Sequence, residues 1–279
     1  MKDKAENNPV KNRNNTDINY KGKQELLISI VIPLYNEDNS IKEVITRIPN
    51  NLKTEIIVID DGSTDNSVKK VNEIKNENIK LIRHKINKGY GAAILTGFSH
   101  ARGNIVITMD SDGQHTPEEI PNLIEPILDN KADVVVGSRY LGKLFFKVPI
   151  YTRIGEHIIN LFLWFLYRQK IGNNQNGFRA FKREVVEKLK VMNHTGMAFT
   201  TEILFKCASH RYKLYEIPMT ANAREYGTSY VKIFKVFKSI FSCIIFYSFK
   251  KYNLDINKLF LKRYIDKIYN KIKHTKLFC

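Results

Sequence analysis

Three oxygen-bearing side chains at alternate positions give the first indication of chemistry in this sequence. Asp110, Asp112 and Gln114 lie just after the apolar run 104–108. Carboxylate and amide oxygens are hard ligands that suit a divalent cation, and such a cation also binds a diphosphate. The same residues are typical of an exposed polar turn, because Asp and Gly are frequent in turns. The metal interpretation therefore depends on the elements that surround these residues.

Short apolar, β-branched runs alternate with segments of helical pattern along the chain. Strands are expected at 26–33, 54–60, 79–83, 103–109 and 132–137, and helices at 40–49, 64–76, 90–102 and 117–129. This alternation predicts an α/β fold with a doubly wound, mostly parallel sheet flanked by helices. Thr116, Pro117 and Glu119 predict how the last of these helices begins, with Thr at the N-cap, Pro at the first position and Glu as the capping-box partner.

Ligands of open parallel sheets bind beyond the carboxyl ends of the strands. A polar cluster follows each of the five predicted strands, at 33–37, 60–63, 87–91, 110–114 and 137–139. Each cluster alone is explained equally well as a turn or a solvated charge. Together they predict one site with carboxylates for a base and ribose, glycines where a ligand approaches the backbone, and cations for phosphate.

The order of these motifs resembles family 2 glycosyltransferases with the GT-A fold, and among them the polyprenyl-phosphate sugar synthases of the dolichyl-phosphate mannose synthase type. The resemblance extends from about residue 29 to residue 229. The motifs that carry it are 31–37, 58–65, 87–92, 110–114, 137–139, 177–179 and 224–229.

The resemblance implies a role for individual residues. Mg²⁺ or Mn²⁺ on the donor diphosphate would be held by Asp110, Asp112 and Gln114. The acceptor phosphate would be bound by Arg139 and Arg153, which form the expected catalytic set with Asp112. The nucleotide sugar would contact Pro33, Tyr35, Glu37, Asp61, Lys88, Asp110 and Arg224. Similar synthases usually carry Asp and Ser where this chain has Asn173 and Asn176, and often Ser-Lys where it has Ser229-Tyr230.

The reaction expected from the resemblance is inverting transfer of one hexose, mannose or glucose, from a GDP- or UDP-sugar to dolichyl or polyprenyl phosphate. A phosphate acceptor is already anionic near neutral pH and needs no strong base. Transfer to a sugar hydroxyl is the alternative, and Glu202 is then a candidate base, although a charge on a helix surface is the favoured interpretation of Glu202. A non-catalytic subunit that binds nucleotide sugars is a more remote alternative.

The charge of the chain requires an anionic partner. Lys and Arg number 45 against 28 Asp and Glu, which gives a formal charge of +17. Nucleic acid is not expected, because no zinc-ligand, RNP or helix-turn-helix pattern accompanies the charge. An anionic membrane surface fits better, since basic amphipathic segments bind such surfaces. The pattern predicts a cytoplasmic protein that associates peripherally with the cytoplasmic face of a membrane, and leaves its oligomeric state open.

Composition also suggests three regions. Residues 1–25 form a polar leader without the apolar segment of a signal peptide, 26–230 form the GT-A domain, and 231–279 form basic amphipathic helices. Within the domain, 152–170 is either an interfacial helix or a helix of the core. The three cysteines, Cys207, Cys243 and Cys279, lack metal-ligand spacing and indicate a reducing compartment.

Overall fold

A computed structural model of the protein describes residues 26–192, 196, 198–223 and 233–252, with side chains from residue 239 onward in the last range. Three groups of predictions lie outside these residues. They are the polar leader 1–25, the motif 224–229 with Arg224, Ser229 and the adjacent Tyr230, and the basic segment from 253 to 279.

A seven-stranded sheet forms the centre of the molecule. Its strands are β1 (Ile28–Leu34), β2 (Thr54–Asp60), β3 (Ile79–Arg83), β4 (Ile105–Thr108), β5 (Val134–Ser138), β6 (Arg179–Lys182) and β7 (Leu214–Pro218). The strand order is β3-β2-β1-β4-β6-β5-β7. β6 is antiparallel to β4 and to β5, and all other neighbours are parallel. The predicted mostly parallel sheet is confirmed, and each of the five predicted strands is present.

Helices cover both faces of this sheet. They are α1 (Ile41–Thr46), α2 (Ser67–Asn72), α3 (Tyr90–His100), α4 (Ile120–Leu128), α5 (Ile150–Tyr167), α6 (Arg183–Leu189), α7 (Phe199–Ser209) and α8 (Ile233–Lys251). Successive strand residues point to opposite faces. Ile32 of β1 therefore packs in the core with α1 and α4, whereas Val31 packs in the core with α3, α6 and α7. Both cores are apolar, so the polar groups of the sheet are concentrated at its ends.

The segment after the metal candidate differs from the prediction. Thr116 precedes a short 3₁₀ turn, Pro117–Glu119, and its side chain caps no backbone N–H. Instead the Thr116 hydroxyl accepts a hydrogen bond from Asn222 Nδ2 at 3.3 Å. The Glu119 carboxylate accepts from the Thr220 backbone N at 2.9 Å and from its hydroxyl at 2.8 Å. The predicted capping box is wrong, because long-range contacts with 220–222 take both side chains.

A third core lies between α5, α7 and α8. Leu163, Leu204, Cys243 and Tyr247 are buried in it. Glu202 of α7 has no exposed surface and lies 3.5 Å from the Tyr247 hydroxyl. The favoured interpretation of this residue as a surface charge is therefore wrong. None of the helices in the described ranges is both long enough and apolar enough to cross a membrane.

Candidate active site

Hydrogen bonds join the polar clusters at the carboxyl ends of the strands. The backbone N–H of Asn36, after β1, donates to Ser63 Oγ, after β2, at 3.0 Å. Ser40 Oγ, from the same β1 loop, donates to the backbone oxygen of Ser111 at 2.7 Å, which connects this loop to the end of β4. Three of the five clusters predicted to share one edge of the sheet are thus joined by direct contacts between their loops.

The first residues predicted to contact the nucleotide follow one another along this edge. Pro33 is buried within β1, while Tyr35 and Glu37 are half-buried just beyond it. Asn36 between them has a φ of 53°, in the left-handed region that Asn tolerates better than most residues. The Glu37 backbone N–H donates to Ser67 Oγ at 2.9 Å. This turn aims the loop after β1 across the end of β2.

Asp61 organises the loop that leads into α3. Its Oδ1 accepts from the backbone N–H of Lys88 at 2.9 Å, and its Oδ2 accepts from Gly89 N at 2.7 Å. His84 Nδ1 lies 2.6 Å from Oδ1. Three of the roughly four acceptor positions of a carboxylate are therefore in use. Asp61 holds Lys88 at the edge by its backbone, and the Lys88 side chain is exposed.

Asp110 and Asp112 lie where β4 ends. Gly177, before β6, allows the Asp110 carboxylate to sit close, since a Cβ at position 177 would be 2.5 Å from Asp110 Oδ1. That Oδ1 atom is enclosed and has no hydrogen-bond partner among the described residues. Asp112 Oδ1 accepts from Gln114 N at 3.1 Å, which closes a local turn. Asp110 thus offers an unused buried acceptor beside Asp112.

This donor set fits part of a divalent-cation site. Burial raises the pKa of Asp110 and the Asp112 carboxylate raises it further, whereas the Tyr90 hydroxyl and the Arg179 guanidinium favour the ionised form. A cation would relieve both the burial and the repulsion. In the described ranges no three His, Cys, Asp or Glu side chains form a metal-binding group. The two aspartates would therefore need Gln114 and oxygens of the diphosphate to complete the coordination.

His115 and Asn176 connect the end of β4 with the end of β5. Asp110 N donates to His115 Nδ1 at 3.1 Å, so the proton of the neutral ring lies on Nε2. His115 Nε2 then donates to Asn176 Oδ1 at 2.7 Å, and Asn176 Nδ2 donates to the Gly137 oxygen at 2.6 Å. The Asn176 amide therefore accepts one hydrogen bond and donates another. The Ser that similar synthases usually carry at this position has a shorter side chain with which to make the same two contacts.

The two arginines predicted to bind the acceptor phosphate lie beside one tyrosine. The guanidinium carbon of Arg139, just after β5, is 5.3 Å from the centre of the Tyr140 ring, and that of Arg153, on α5, is 5.6 Å from it. Arg139 Nη2 also donates to Glu156 Oε1 at 2.9 Å, and the Tyr140 hydroxyl donates to Glu156 Oε2. Burial raises the pKa of Glu156, against the opposing effects of Tyr140 and Arg139. Arg153 is exposed and has no carboxylate partner in the described part of the chain.

Arg179 is a buried residue that holds the backbone around the site. The sequence placed it in the motif 177–179 but assigned it no function. Its side chain is 1% exposed and donates to the backbone oxygens of Asn174, Asn176 and Thr200 at 2.7 to 2.9 Å. Burial lowers its pKa to about 10. Tyr140, Glu156 and His115 were also missed. His115 and Tyr140 directly follow predicted residues, whereas nothing local marks Glu156.

Known proteins resemble this chain in sequence. The family model for Glycosyl transferase family 2 matches residues 29–190. Dolichol-phosphate mannosyltransferase of Pyrococcus furiosus is 35% identical over 225 residues, which cover 77% of this chain and 62% of that protein. UDP-N-acetylglucosamine–dolichyl-phosphate N-acetylglucosaminyltransferase of Methanococcus voltae is 31% identical over 234 residues, which cover 76% of this chain and 93% of that protein.

A solved structure agrees with the fold. Glucosyl-3-phosphoglycerate synthase from Mycobacterium tuberculosis, in complex with Mn²⁺, uridine diphosphate and phosphoglyceric acid, superimposes with a TM-score of 0.63 at 19% identity. The match covers 80% of this chain and 78% of that one. The family model spans more than half of the chain, and those motifs of the resemblance that the structure describes lie at one edge of the sheet. This protein belongs to glycosyl transferase family 2 and is a glycosyltransferase with the GT-A fold.

Proposed function

We propose that this glycosyltransferase moves a single hexose, mannose or glucose, from a GDP- or UDP-sugar to dolichyl or polyprenyl phosphate with inversion. The observation that carries the proposal is the pair of arginines beside Tyr140. Arg153 has no carboxylate partner in the described ranges, and it lies on a helix whose outer face is apolar. A guanidinium pair binds phosphate, and an adjacent apolar surface suits the lipid that carries it. The named relatives from Pyrococcus and Methanococcus act on dolichyl phosphate by their names.

The chemistry requires little of the protein beyond placement and charge. A lipid phosphate is already a nucleophilic anion near neutral pH, so holding its oxygen against the sugar carbon supplies much of the rate. Arg139 and Arg153 would orient it. A Mg²⁺ or Mn²⁺ ion held by Asp110, Asp112 and Gln114 would stabilise the departing diphosphate. Glu202, the candidate base for a hydroxyl acceptor, is fully buried beside α8 and is poorly placed for that role.

The outer face of α5 supports peripheral attachment to a membrane. Four apolar residues at helical spacing are 41 to 57% exposed, namely Ile154, Ile158, Leu161 and Phe165. We call them the α5 stripe. Exposed apolar patches of this kind mark interaction surfaces. Trp164 lies beside the stripe, with the Arg168 guanidinium 4.8 Å from its ring centre, an arrangement typical of the lipid–water boundary. The inner face of α5 packs in the core, and the exposed stripe on its outer face supports the proposal that the same helix also contacts the membrane.

A donor panel tests the proposed reaction. Purified protein with Mn²⁺ and polyprenyl phosphate is incubated with GDP-mannose, GDP-glucose, UDP-glucose and UDP-N-acetylglucosamine, and lipid-linked sugar is measured. We expect product from one hexose donor. Product from none of the four donors would refute the acceptor assignment, and product from UDP-N-acetylglucosamine alone would refute the hexose.

Asp112→Asn provides the matched metal test in the same assay. Asn keeps an oxygen that can accept from Gln114 N, so the local turn should survive. We expect turnover to fall at least about a hundredfold, because the substitution weakens a metal ligand directly. Calorimetry of Mn²⁺ with the nucleoside diphosphate should show weaker binding at an unchanged melting temperature. Full turnover by the variant would remove Asp112 from the metal site.

A further inference from the structure

Tyr140 and Glu156 connect the two arginines to each other and to the protein interior. Both guanidinium groups lie within cation–π distance of the Tyr140 ring, at 5.3 and 5.6 Å. The Tyr140 hydroxyl donates to Glu156 Oε2, and Glu156 is 2% exposed. One aromatic side chain thus contacts both cations and is itself fixed by a buried carboxylate.

Several hydrogen bonds fix the position of Glu156. Its Oε1 accepts from Arg139 Nη2 at 2.9 Å. With its amide oriented to satisfy both neighbours, Asn173 donates to the same Oε1 at 3.2 Å and accepts from Arg139 N at 3.2 Å. Asn174 Nδ2 donates to the Glu156 backbone oxygen at 2.7 Å. The carboxylate therefore has donors on both oxygens and little freedom to move.

The positive charges of Arg139 and Arg153 explain why the two side chains must be held in place. Two guanidinium groups near one ring repel each other when no phosphate lies between them. Glu156 compensates Arg139 from the protein side, whereas Arg153 has no such partner among the described residues. The pair thus keeps one uncompensated positive charge directed outward. A charge fixed in this way does not need to reorganise when an anion binds, which is the source of preorganised electrostatic stabilisation.

We infer that Tyr140 and Glu156 are positioning residues that set the spacing and direction of Arg139 and Arg153 for the acceptor phosphate. The inference rests on the proposed function, because that function assigns the acceptor phosphate to the two arginines. Neither residue need touch the reacting atoms. Arg139 Nε is enclosed and has no hydrogen-bond partner in the described part of the structure, so the contact that fixes this guanidinium from the protein side is the one from Nη2 to Glu156.

Tyr140→Phe is the sharpest test, since it removes one hydroxyl and keeps the ring beside both arginines. We expect the KM for polyprenyl phosphate to rise about tenfold, equivalent to about 1.4 kcal/mol, while the KM for the sugar nucleotide stays within twofold. Glu156→Gln should raise the acceptor KM at least as much. The double variant should be no worse than Glu156→Gln alone, because the two residues act through one hydrogen bond. Tyr215→Phe is the matched control, because Tyr215 is an exposed β7 residue whose hydroxyl forms no hydrogen bond with the described residues.

Two results would overturn the inference. A lower acceptor KM in Glu156→Gln would mean that Glu156 merely competes with phosphate for Arg139. Equal rises in both KM values, together with a lower melting temperature, would mean a general structural role.

If wild-type protein transfers no sugar, the proposed function fails, and calorimetry with farnesyl phosphate then tests the arrangement alone. Tyr140→Phe should bind this probe about tenfold more weakly than wild type and Tyr215→Phe. Equal binding, or no binding by wild type, contradicts the inference.

Discussion

Several buried charged residues in the described part of this enzyme share their charge with more than one hydrogen-bond partner. Arg179 is enclosed by three backbone oxygens, and Asp61 by two backbone N–H groups and His84. Glu55 follows the same rule at the opposite end of the sheet. Ser29 Oγ and Arg102 N both donate to its Oε1 at 2.6 Å. Such groups are costly to strip of their partners, because a buried charge that loses its hydrogen bonds is not resolvated.

Glu55→Gln gives a pH-dependent prediction at this scale. Burial opposes it, but the hydrogen bonds from Ser29 and Arg102 lower the pKa of Glu55 below its ordinary value of 4.5. A carboxylate with a lowered folded-state pKa stabilises the fold above its unfolded pKa, and this stability is lost as the pH falls through the folded pKa. We expect the variant to lose roughly 1–2 kcal/mol of unfolding free energy at pH 7. The difference from wild type should shrink progressively below pH 4.5, as measured by urea unfolding.

Glu77→Gln is the control for this experiment, because Glu77 is exposed and forms no ion pair in the described ranges. Its unfolding free energy should follow wild type at every pH. A cost of Glu55→Gln that stays constant between pH 7 and pH 4 would show that the lost charge does not matter.

Site residues that directly follow a strand were predicted from the sequence. Residues that join the site through a contact with a distant part of the chain were not. Asp110, Asp112 and Arg139 follow strand ends, so strand periodicity alone places them at one edge. Glu156 pairs with Arg139 from a different element, and no local pattern encodes that contact. Glu202 has a charged side chain on an amphipathic helix, which suggests exposure, but α8 covers it. The local sequence of α7 contains no information about its burial under α8, which lies more than 20 residues further along the chain.

At the scale of elements, the first five strands were predicted from the sequence, whereas the antiparallel β6 and the parallel edge strand β7 were not. β1 and β2 are buried runs rich in β-branched residues, β3 is a shorter run in which apolar and charged residues are mixed, and the bounds of all three match the prediction to within two residues. β6 has only four residues, begins with a buried arginine and inserts between β4 and β5. Its position nevertheless decides the site, because it brings Gly177 against Asp110 and Asn176 against Gly137.

The α5 stripe yields a prediction at the same scale. Replacing Ile154, Ile158 and Leu161 together by Ser should leave the fold intact, since all three are 41 to 53% exposed. We expect binding to neutral phosphatidylcholine vesicles to weaken about a hundredfold, because each side chain contributes roughly 1 kcal/mol of apolar transfer. Trp164 is the single tryptophan of the chain and reports binding by a blue shift of its fluorescence.

Ile86→Ser controls for the loss of exposed apolar surface as such. Ile86 is 70% exposed on the loop before α3, away from α5. This variant should bind vesicles like wild type. Unchanged flotation of the triple variant would exclude the α5 stripe as the membrane contact and would leave attachment, if observed, to other segments.

At the scale of the whole molecule, charge is distributed unevenly. Residues 253–279 carry seven Lys and Arg against two Asp, within a total of +17. Near an anionic surface each cation contributes on the order of 1 kcal/mol before screening. The apolar contact from α5 and the electrostatic contact from this segment should therefore respond differently to salt, since only the second is screened.

Deleting residues 253–279 separates the two contributions and leaves α8 complete. On vesicles with phosphatidylserine at low salt, we expect flotation of the truncated protein to fall at least tenfold below that of wild type, because several near-surface cations are lost. At about 1 M salt, where the screening length is about 3 Å, the two proteins should bind alike. A full-length variant with Gln at Lys258, Lys262, Lys267, Lys271 and Lys273 keeps the apolar residues and should behave like the deletion. Binding of the Gln variant at the wild-type level would assign the effect of this segment to its apolar side chains instead of its charge.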